Sequence, residues 1–326
     1  MLQVFGHPGT EPKTQEGAGI PPDAVWIDLL DPSDDEKAAI EHATGLSVPT
    51  HQQLREVESS SRLRREGGSL YLSLPLVHRD ANRRPRITSV GFLLTKAHLV
   101  TIRFEELKAF EVCRKRVTAG DVCHPSSSGI FTTLLESIVD RLADVLEEVG
   151  EDLDEAAEEV FGRETEPRLR RPKIQGQRLR VNLRRVGRQR QLLSKIRATL
   201  LGIGRLVPYV EEEAGAWLPD DTRHRFQVLA RDVDSLDEYE GHLSDKVQFL
   251  LDADLGLINI EQNDTFRVLT VVSVVGIPPT LVASMYGMNF KNMPELNWTY
   301  GYAWGLGLIV LSALAPLVWF RIKGWF

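Results

Sequence analysis

The chain has 326 residues, 42% of them hydrophobic and 26% charged, with a formal net charge of −7, a size and composition that exclude one small domain and a disordered polymer. Two cysteines, Cys113 and Cys123, are too few for a disulfide framework and suit a reducing compartment. Two runs carry no Asp, Glu, Lys or Arg, 23 positions from Val268 to Phe290 and 25 from Leu296 to Phe320. Each is long enough to cross a hydrocarbon core of about 30 Å as a helix, which argues against a purely soluble enzyme.

Met1 to Ile20 mixes Gly, Pro, Thr and Glu and lacks the apolar segment of an export signal, which leaves the residues before the first apolar run in the cytoplasm. A short strand is predicted over Val25–Leu30, then a helix over Asp34–His42 with Ser33 and Glu36 at capping-box spacing. Strands follow over Leu70–His78, Ile87–Thr95 and His98–Phe104, the last two joined as a hairpin through Lys96-Ala97. A helix is predicted over Phe104–Ala119. Residues 1–125 thus predict a cytoplasmic α/β domain, bounded by the Ser-rich stretch Pro125-Ser-Ser-Ser-Gly129.

Residues 126–220 predict antiparallel helices. Thr132–Val160 has Leu135, Ile138, Val139, Leu142, Val145, Leu146, Val149 and Leu153 at a period near 3.6. Asp144–Glu159 holds nine carboxylates and no base, and Arg168–Arg197 holds twelve Lys or Arg and no acid. Nucleic-acid binding is disfavoured, because an equally dense acidic helix precedes the basic one, which has no Phe, Tyr or Trp for bases to stack on. Two helices whose opposite charges attract account for the pattern, and a charged ring that tunes the potential felt by a cation is the functional alternative.

Residues 221–290 predict a stalk helix continuing into the first span, 291–297 an external loop, 298–320 a second span and 321–326 a basic cytoplasmic tail. Leu229, Val233, Leu236, Leu243, Val247, Leu250 and Leu257 follow a 4-3 spacing broken by Glu240 and Asp254, and no proline interrupts it before Pro278. An unbroken helix of about 65 residues is roughly 100 Å long, and such a seam needs partners in a bundle or an oligomer. The short turn makes the spans a hairpin with both chain ends on one side. Arg267, Arg321 and Lys323 put that side in the cytoplasm.

Nothing in the sequence predicts catalysis. Cys113, Cys123 and His124 match no structural zinc spacing, and His51, His78 and His98 are scattered. Walker A, dinucleotide and nucleophile-elbow motifs are missing. The chemistry lies in the hairpin, where the first span ends Met285-Tyr286-Gly287-Met288-Asn289-Phe290. In several copies around an axis, Asn289 forms a ring of neutral oxygens. Mg²⁺ sheds its waters reluctantly, so such a ring binds the hydrated ion through them and lets it proceed. As an isolated feature, Gly-Met-Asn reads equally as a left-handed helix C-cap.

Tyr286-Gly287-Met288-Asn289 at the end of the penultimate span, followed by Met293-Pro294-Glu295-Leu296 and a last span with a basic tail, resembles the CorA family of magnesium channels and transporters. The resemblance is close from about Asp252 onward. It implies an α+β cytoplasmic domain, a long stalk helix and two transmembrane helices, assembled as a homopentameric funnel in the cell inner or plasma membrane, with the bilayer and divalent cations as its other partners. Mg²⁺ is the implied cargo and regulator, and zinc, cobalt or nickel the alternatives within the superfamily. It puts Gly287, Met288 and Asn289 at the pore entrance and Thr280, Ile277, Leu269, Phe266 and Asn263 along the pore, spacings compatible with one helical face. Leu269 and Phe266 become an apolar constriction, with Ile277 and Phe266 standing where the family commonly has Met. Pro278 and Pro279 either kink the span or free carbonyl oxygens toward the pore. Regulatory ions fall to Asp252, an acid in an otherwise apolar seam that is costly without a partner, and to Asp232 and Asp234, which read equally as solvated carboxylates. A membrane-tethered scaffold without transport is the alternative outside this class.

Overall fold

The computed structural model describes residues 1–6, 13–14, 21, 24–56, 58, 62–80, 84–121, 126–161, 172–288 and 293–324. The chain forms two compact units, Met1–Glu166 with Asn182–Leu251, and Pro167–Val181 with Asp252–Phe326.

The first unit is built on a seven-stranded sheet. Its strands are β1 (Leu2–Phe5), β2 (Lys13–Thr14), β3 (Trp26–Leu30), β4 (Leu63–Glu66), β5 (Ser69–Arg79), β6 (Pro85–Leu94) and β7 (Leu99–Arg103), in the order β2-β1-β3-β7-β6-β5-β4. All neighbours are antiparallel except β3 and β7, whose parallel register sets Asp28 beside Thr101. Helices α1 (Asp34–Thr44), α2 (His51–Leu54), α3 (Lys108–Ala119), α4 (Ser127–Phe161), α5 (Pro172–Ala214) and α6 (Asp220–Tyr286) follow in chain order.

Strand alternation divides the buried side chains between two cores. Ile27, Leu29, Leu93, Val100 and Ile102 join Ile40 of α1 and Leu54 of α2 on one face. Leu70, Leu72, Leu74, Val90 and Phe92 join α3, α4, α5 and α6 on the other. Because both faces are covered, Ser69 through Leu76 is buried without interruption, and a run that shows no polar alternation is what such a strand leaves in the sequence. Phe92 meets Phe131 edge-on at 5.4 Å and Phe131 meets Phe226 at 6.3 Å, carrying the core from sheet to α4 to α6.

Several expected elements are present with shifted ends. The Ser33 hydroxyl accepts from the Glu36 N–H and the Glu36 carboxylate from the Ser33 N–H, starting α1 as its spacing predicted. Lys96-Ala97 is the turn between β6 and β7. Helix α3 begins at Lys108 instead of Phe104. The Ser-rich stretch is not a domain boundary: Ser127, Ser128 and Gly129 are buried in the first turn of α4, and the Ser127 hydroxyl donates to Thr95 O at 2.6 Å. Residues before and after position 125 therefore share one core. Strands β1, β2 and β4 and helix α2 have no counterpart in the sequence-based reading. The Gly67-Gly68 turn between β4 and β5 needs φ of +57° and +88°, a left-handed pair that glycine adopts without strain.

The acidic and basic helices pair as predicted. Arg185 Nη2 lies 2.8 Å from Asp152 and 2.6 Å from Glu155, and these hydrogen bonds, Glu155 first, raise the pKa of the guanidinium. Gln189 donates to Asp152, and Lys246 of α6 reaches Asp154 at 2.6 Å. Arg185 and Gln189 thus join α5 to the acidic face of α4, and Lys246 joins α6 to it.

The second unit contains the C-terminal part of α6, a 3₁₀ turn at Pro294–Asn297 and α7 (Gly301–Ile322). Both helices have a stretch long and apolar enough to cross a membrane.

Candidate functional site

Helix α6 runs 67 residues from Asp220 to Tyr286. Its buried positions are Thr222, Phe226, Leu229, Val233, Glu240, Leu243, Val247, Leu250 and Asp254, a 4-3 repeat with half-buried Leu236 completing it. Glu240 and Asp254 thus occupy seam positions rather than breaks. Glu240 is 1% exposed; Ser244 donates to its Oε1 at 2.7 Å and Arg197 lies 3.7 Å from Oε2.

Beyond Asp254 the burial ends. Phe266, Leu269 and Ile277 are each more than 60% exposed in the single chain, and Asn263 and Thr280 are exposed with them. An apolar surface of this extent is tolerated only against lipid or other copies. A groove of about 450 Å³ along α6 is lined by Ser273, Gly276, Ile277, Thr280 and Ser284, among others, so the structure brings two of the expected pore residues together. Asn263, Phe266, Thr270, Ser273, Ile277, Thr280, Ser284 and Gly287 follow a 3-4 spacing, one line along the helix, and Leu269 flanks it. Ser273 and Ser284 were missed from sequence, although the same period contains them.

Hydroxyls on this stretch bond backward. Thr270 donates to Phe266 O, Thr280 to Gly276 O and Ser284 to Thr280 O, each at 2.8 Å. Pro278 and Pro279 remove the amide donors of the Val274 and Val275 carbonyls, yet the helix continues across them to Tyr286. At its end the Gly287 N–H donates to Ala283 O at 3.0 Å and the Met288 N–H to Met285 O at 3.3 Å. Gly287 is not among the residues with positive φ, so the left-handed cap is not the conformation adopted there. Asn289 lies outside the described residues, as do Cys123 and His124.

The carboxylates expected to hold regulatory ions are separate. Asp252, Asp232 and Asp234 are exposed, and the buried acid of the seam is Asp254, two residues from Asp252, so the burial argument for Asp252 does not hold. Asp232 lies near Asp140 of α4, whose carboxyl is pushed up by partial burial and, against the pull of Arg116, by Glu136, Asp144 and Asp232. Among the described residues no three His, Cys, Asp or Glu side chains gather as a metal site.

Helix α7 supplies the membrane signature that sequence inspection passed over. Trp298, Tyr300, Tyr302 and Trp304 stand exposed at its start, and exposed Trp319 with Arg321 and Lys323 closes its end. Trp304 and Trp319 are 15 helical steps apart, roughly 23 Å, so amphipathic rings mark both edges of one hydrocarbon layer.

A large unit built on a mixed sheet covered on both faces, with two helices long and apolar enough to cross a membrane, the 67-residue α6 and α7, defines a membrane protein. The model of the family described as CorA-like Mg2+ transporter protein matches residues 22–322, and the chain belongs to that family. It is 33% identical over 303 residues to the magnesium transport protein CorA of Sodalis glossinidius, covering 93% of this chain and 92% of that one. The protein of the same name from Escherichia coli K12 is 32% identical over 302 residues, again covering 93% and 92%. Among solved structures, the complete CorA magnesium transporter from Methanocaldococcus jannaschii superposes with a TM-score of 0.77 at 18% identity, covering 100% of this chain and 99% of that one.

Proposed function

We propose that this protein transports Mg²⁺ across a cell membrane. Membership of the CorA family over nearly the whole chain carries that reading, because the relatives at about one third identity are magnesium transport proteins. The protein works as a homopentamer in the inner or plasma membrane, with residues 1–125 and 126–220 and both termini cytoplasmic, 221–290 forming stalk and pore helix, 291–297 the external loop and 298–320 the second span.

Asn289, with Gly287 and Met288, sits at the outer mouth and meets the ion with its waters still attached. Thr280 and Asn263 offer neutral oxygens along the line. Ile277, Leu269 and Phe266 narrow the path with apolar side chains, and a constriction of this kind closes by excluding water. The exposure of these side chains in the single chain supports the reading, since a ring of copies gives them neighbours. Internal Mg²⁺ stabilises the closed state through Asp252, Asp232 and Asp234. One chain does not gather these acids, so a regulatory ion draws ligands from a second copy.

The test is Mg²⁺ uptake into proteoliposomes under an imposed voltage, read by an internal dye, for wild type and Asn289→Ala, repeated with Zn²⁺. Uptake of Mg²⁺ that collapses in Asn289→Ala is the expected result. Zn²⁺ flux without Mg²⁺ flux overturns the choice of ion, and no flux of either from a folded oligomer overturns transport.

A further inference from the structure

Trp319 and Lys323 stand one turn apart on the same side of α7, with Lys323 Nζ 5.8 Å from the centre of the indole ring. The Lys323 N–H closes the last turn on Trp319 O at 3.0 Å, and the Gly324 N–H donates to Arg321 O at 3.2 Å. Gly324 leaves the helix at φ +73°, a left-handed conformation that glycine takes without strain, so Lys323 is the last side chain this helix end positions.

Both side chains are exposed, the indole by 54%. Among the described residues the indole N–H has no acceptor and Lys323 has no carboxylate partner. From Leu296 to Phe326 the sequence has no Asp or Glu, and its only charged side chains are Arg321 and Lys323. At ~100° per residue Arg321 stands on the other side of the helix from Lys323. The end of α7 therefore presents one two-donor face and a second cation behind it.

That face lies at the edge of the apolar span, where an indole ring rests against acyl chains and an ammonium reaches outward to the headgroups. A lipid phosphate occupies this depth. Its two free oxygens accept from the ammonium and the indole N–H together, the first bond being charge-assisted. Water or free phosphate satisfies the same donors but offers nothing to the exposed ring, which the chains of a lipid cover. A phosphatidylcholine brings its own cation to the phosphate, so a headgroup of net negative charge suits Lys323 and Arg321 better.

We propose that the Trp319–Lys323 pair is a binding site for the phosphate of an anionic phospholipid, with Arg321 adding to the positive potential around it. The site rests on α7 being a membrane span and not on which ion is carried. It fixes the depth of the end of α7 through one headgroup.

The test is native mass spectrometry of the full-length protein in non-ionic detergent, titrated with phosphatidylglycerol or with phosphatidylcholine of the same acyl chains. Wild type is compared with Lys323→Gln, Lys323→Arg, Trp319→Phe and, at the opposite edge of the span, Trp304→Phe. Wild type is expected to bind its first phosphatidylglycerol at least about fivefold more tightly than phosphatidylcholine, and Lys323→Gln to lose about that factor while Lys323→Arg keeps it. Trp319→Phe, which retains the ring and removes the N–H, should weaken both lipids, and Trp304→Phe neither. Equal affinity of wild type for the two lipids, unchanged phosphatidylglycerol binding in Lys323→Gln, or an equal loss in Trp304→Phe overturns the proposal. Displacement of phosphatidylglycerol by an equal concentration of glycerol 3-phosphate overturns the choice of a lipid. Loss of subunits from the Lys323→Gln oligomer with lipid binding intact assigns the pair to a second copy and overturns it as well.

Discussion

The Asp28–Arg103 pair is the place where the fold is most vulnerable to one substitution. Both side chains are 1% exposed, and Arg103 donates from Nη2 to Oδ2 at 2.9 Å and from Nε to both carboxylate oxygens at 3.2 Å. Thr101 adds a bond to Oδ1 at 2.7 Å, and Trp26 Nε1 donates to the Thr101 hydroxyl at 3.0 Å. The remaining Arg103 capacity goes to Glu105 O at 3.0 Å and to the face of Phe110. Asp28→Ala leaves a guanidinium in the dry junction of β3 and β7 with no carboxylate, a loss of about 3–5 kcal/mol. For a cooperative body of this size that lowers the melting midpoint by roughly 6–20 °C, measurable by circular dichroism of the solubilised protein. Removing the exposed pair Arg79–Glu148 by Arg79→Ala costs no more than about 1 kcal/mol. Replacing both buried partners, as Asp28→Leu with Arg103→Met, costs less than Asp28→Ala alone, because no orphaned charge remains. An Asp28→Ala midpoint no lower than that of Arg79→Ala would refute the reasoning.

Other expectations follow from the same physics. The Asp140 pKa is raised in the fold above its ordinary 3.8, so the native state binds its proton more tightly and loses stability as pH climbs through the raised value. Asp140→Asn is therefore expected to raise the melting midpoint at pH 7 and to give no gain below the ordinary value, checked by melts across pH 3–7. Burial pushes the Cys113 thiol up to about 12, so peptide-resolved alkylation at pH 8 should label it only after unfolding. Leu269→Ser should raise Mg²⁺ flux several-fold at high internal Mg²⁺ in the proteoliposome assay, by wetting the proposed constriction. Flux unchanged in that variant would remove Leu269 from the constriction.

What could be read from sequence followed how local the signal was. The start of α1 lies in two side chains three residues apart, and β5 to β7 appear as apolar runs because the sheet is covered on both faces. Strand β4 was illegible by hydropathy: Arg64, Arg65 and Glu66 serve an edge whose outer side is wet, so only Gly67-Gly68 could have announced the hairpin. The start of α4 depends on Ser127 reaching carbonyls about thirty residues back, a contact no window contains. For the site, the line from Asn263 to Gly287 was legible because one helix holds it. The burial of Asp254 rather than Asp252 was also there to read, since only the former keeps the 4-3 count from Thr222.

Helix α6 carries two repeats in different phase. The buried seam ends at Asp254 and the exposed line begins at Asn263; at ~100° per residue the two lie on nearly opposite sides of the helix where they meet. The nine-residue interval between them is therefore a phase setting. Deleting or adding a single residue there keeps every apolar side chain and the length of each span, yet rotates the later line by ~100° against the earlier. The segment from Leu255 to Gln262 can thus vary in identity far more freely than in length. Among homologues it should accumulate substitutions and exclude gaps, and an engineered insertion that restores phase must add close to a whole number of turns.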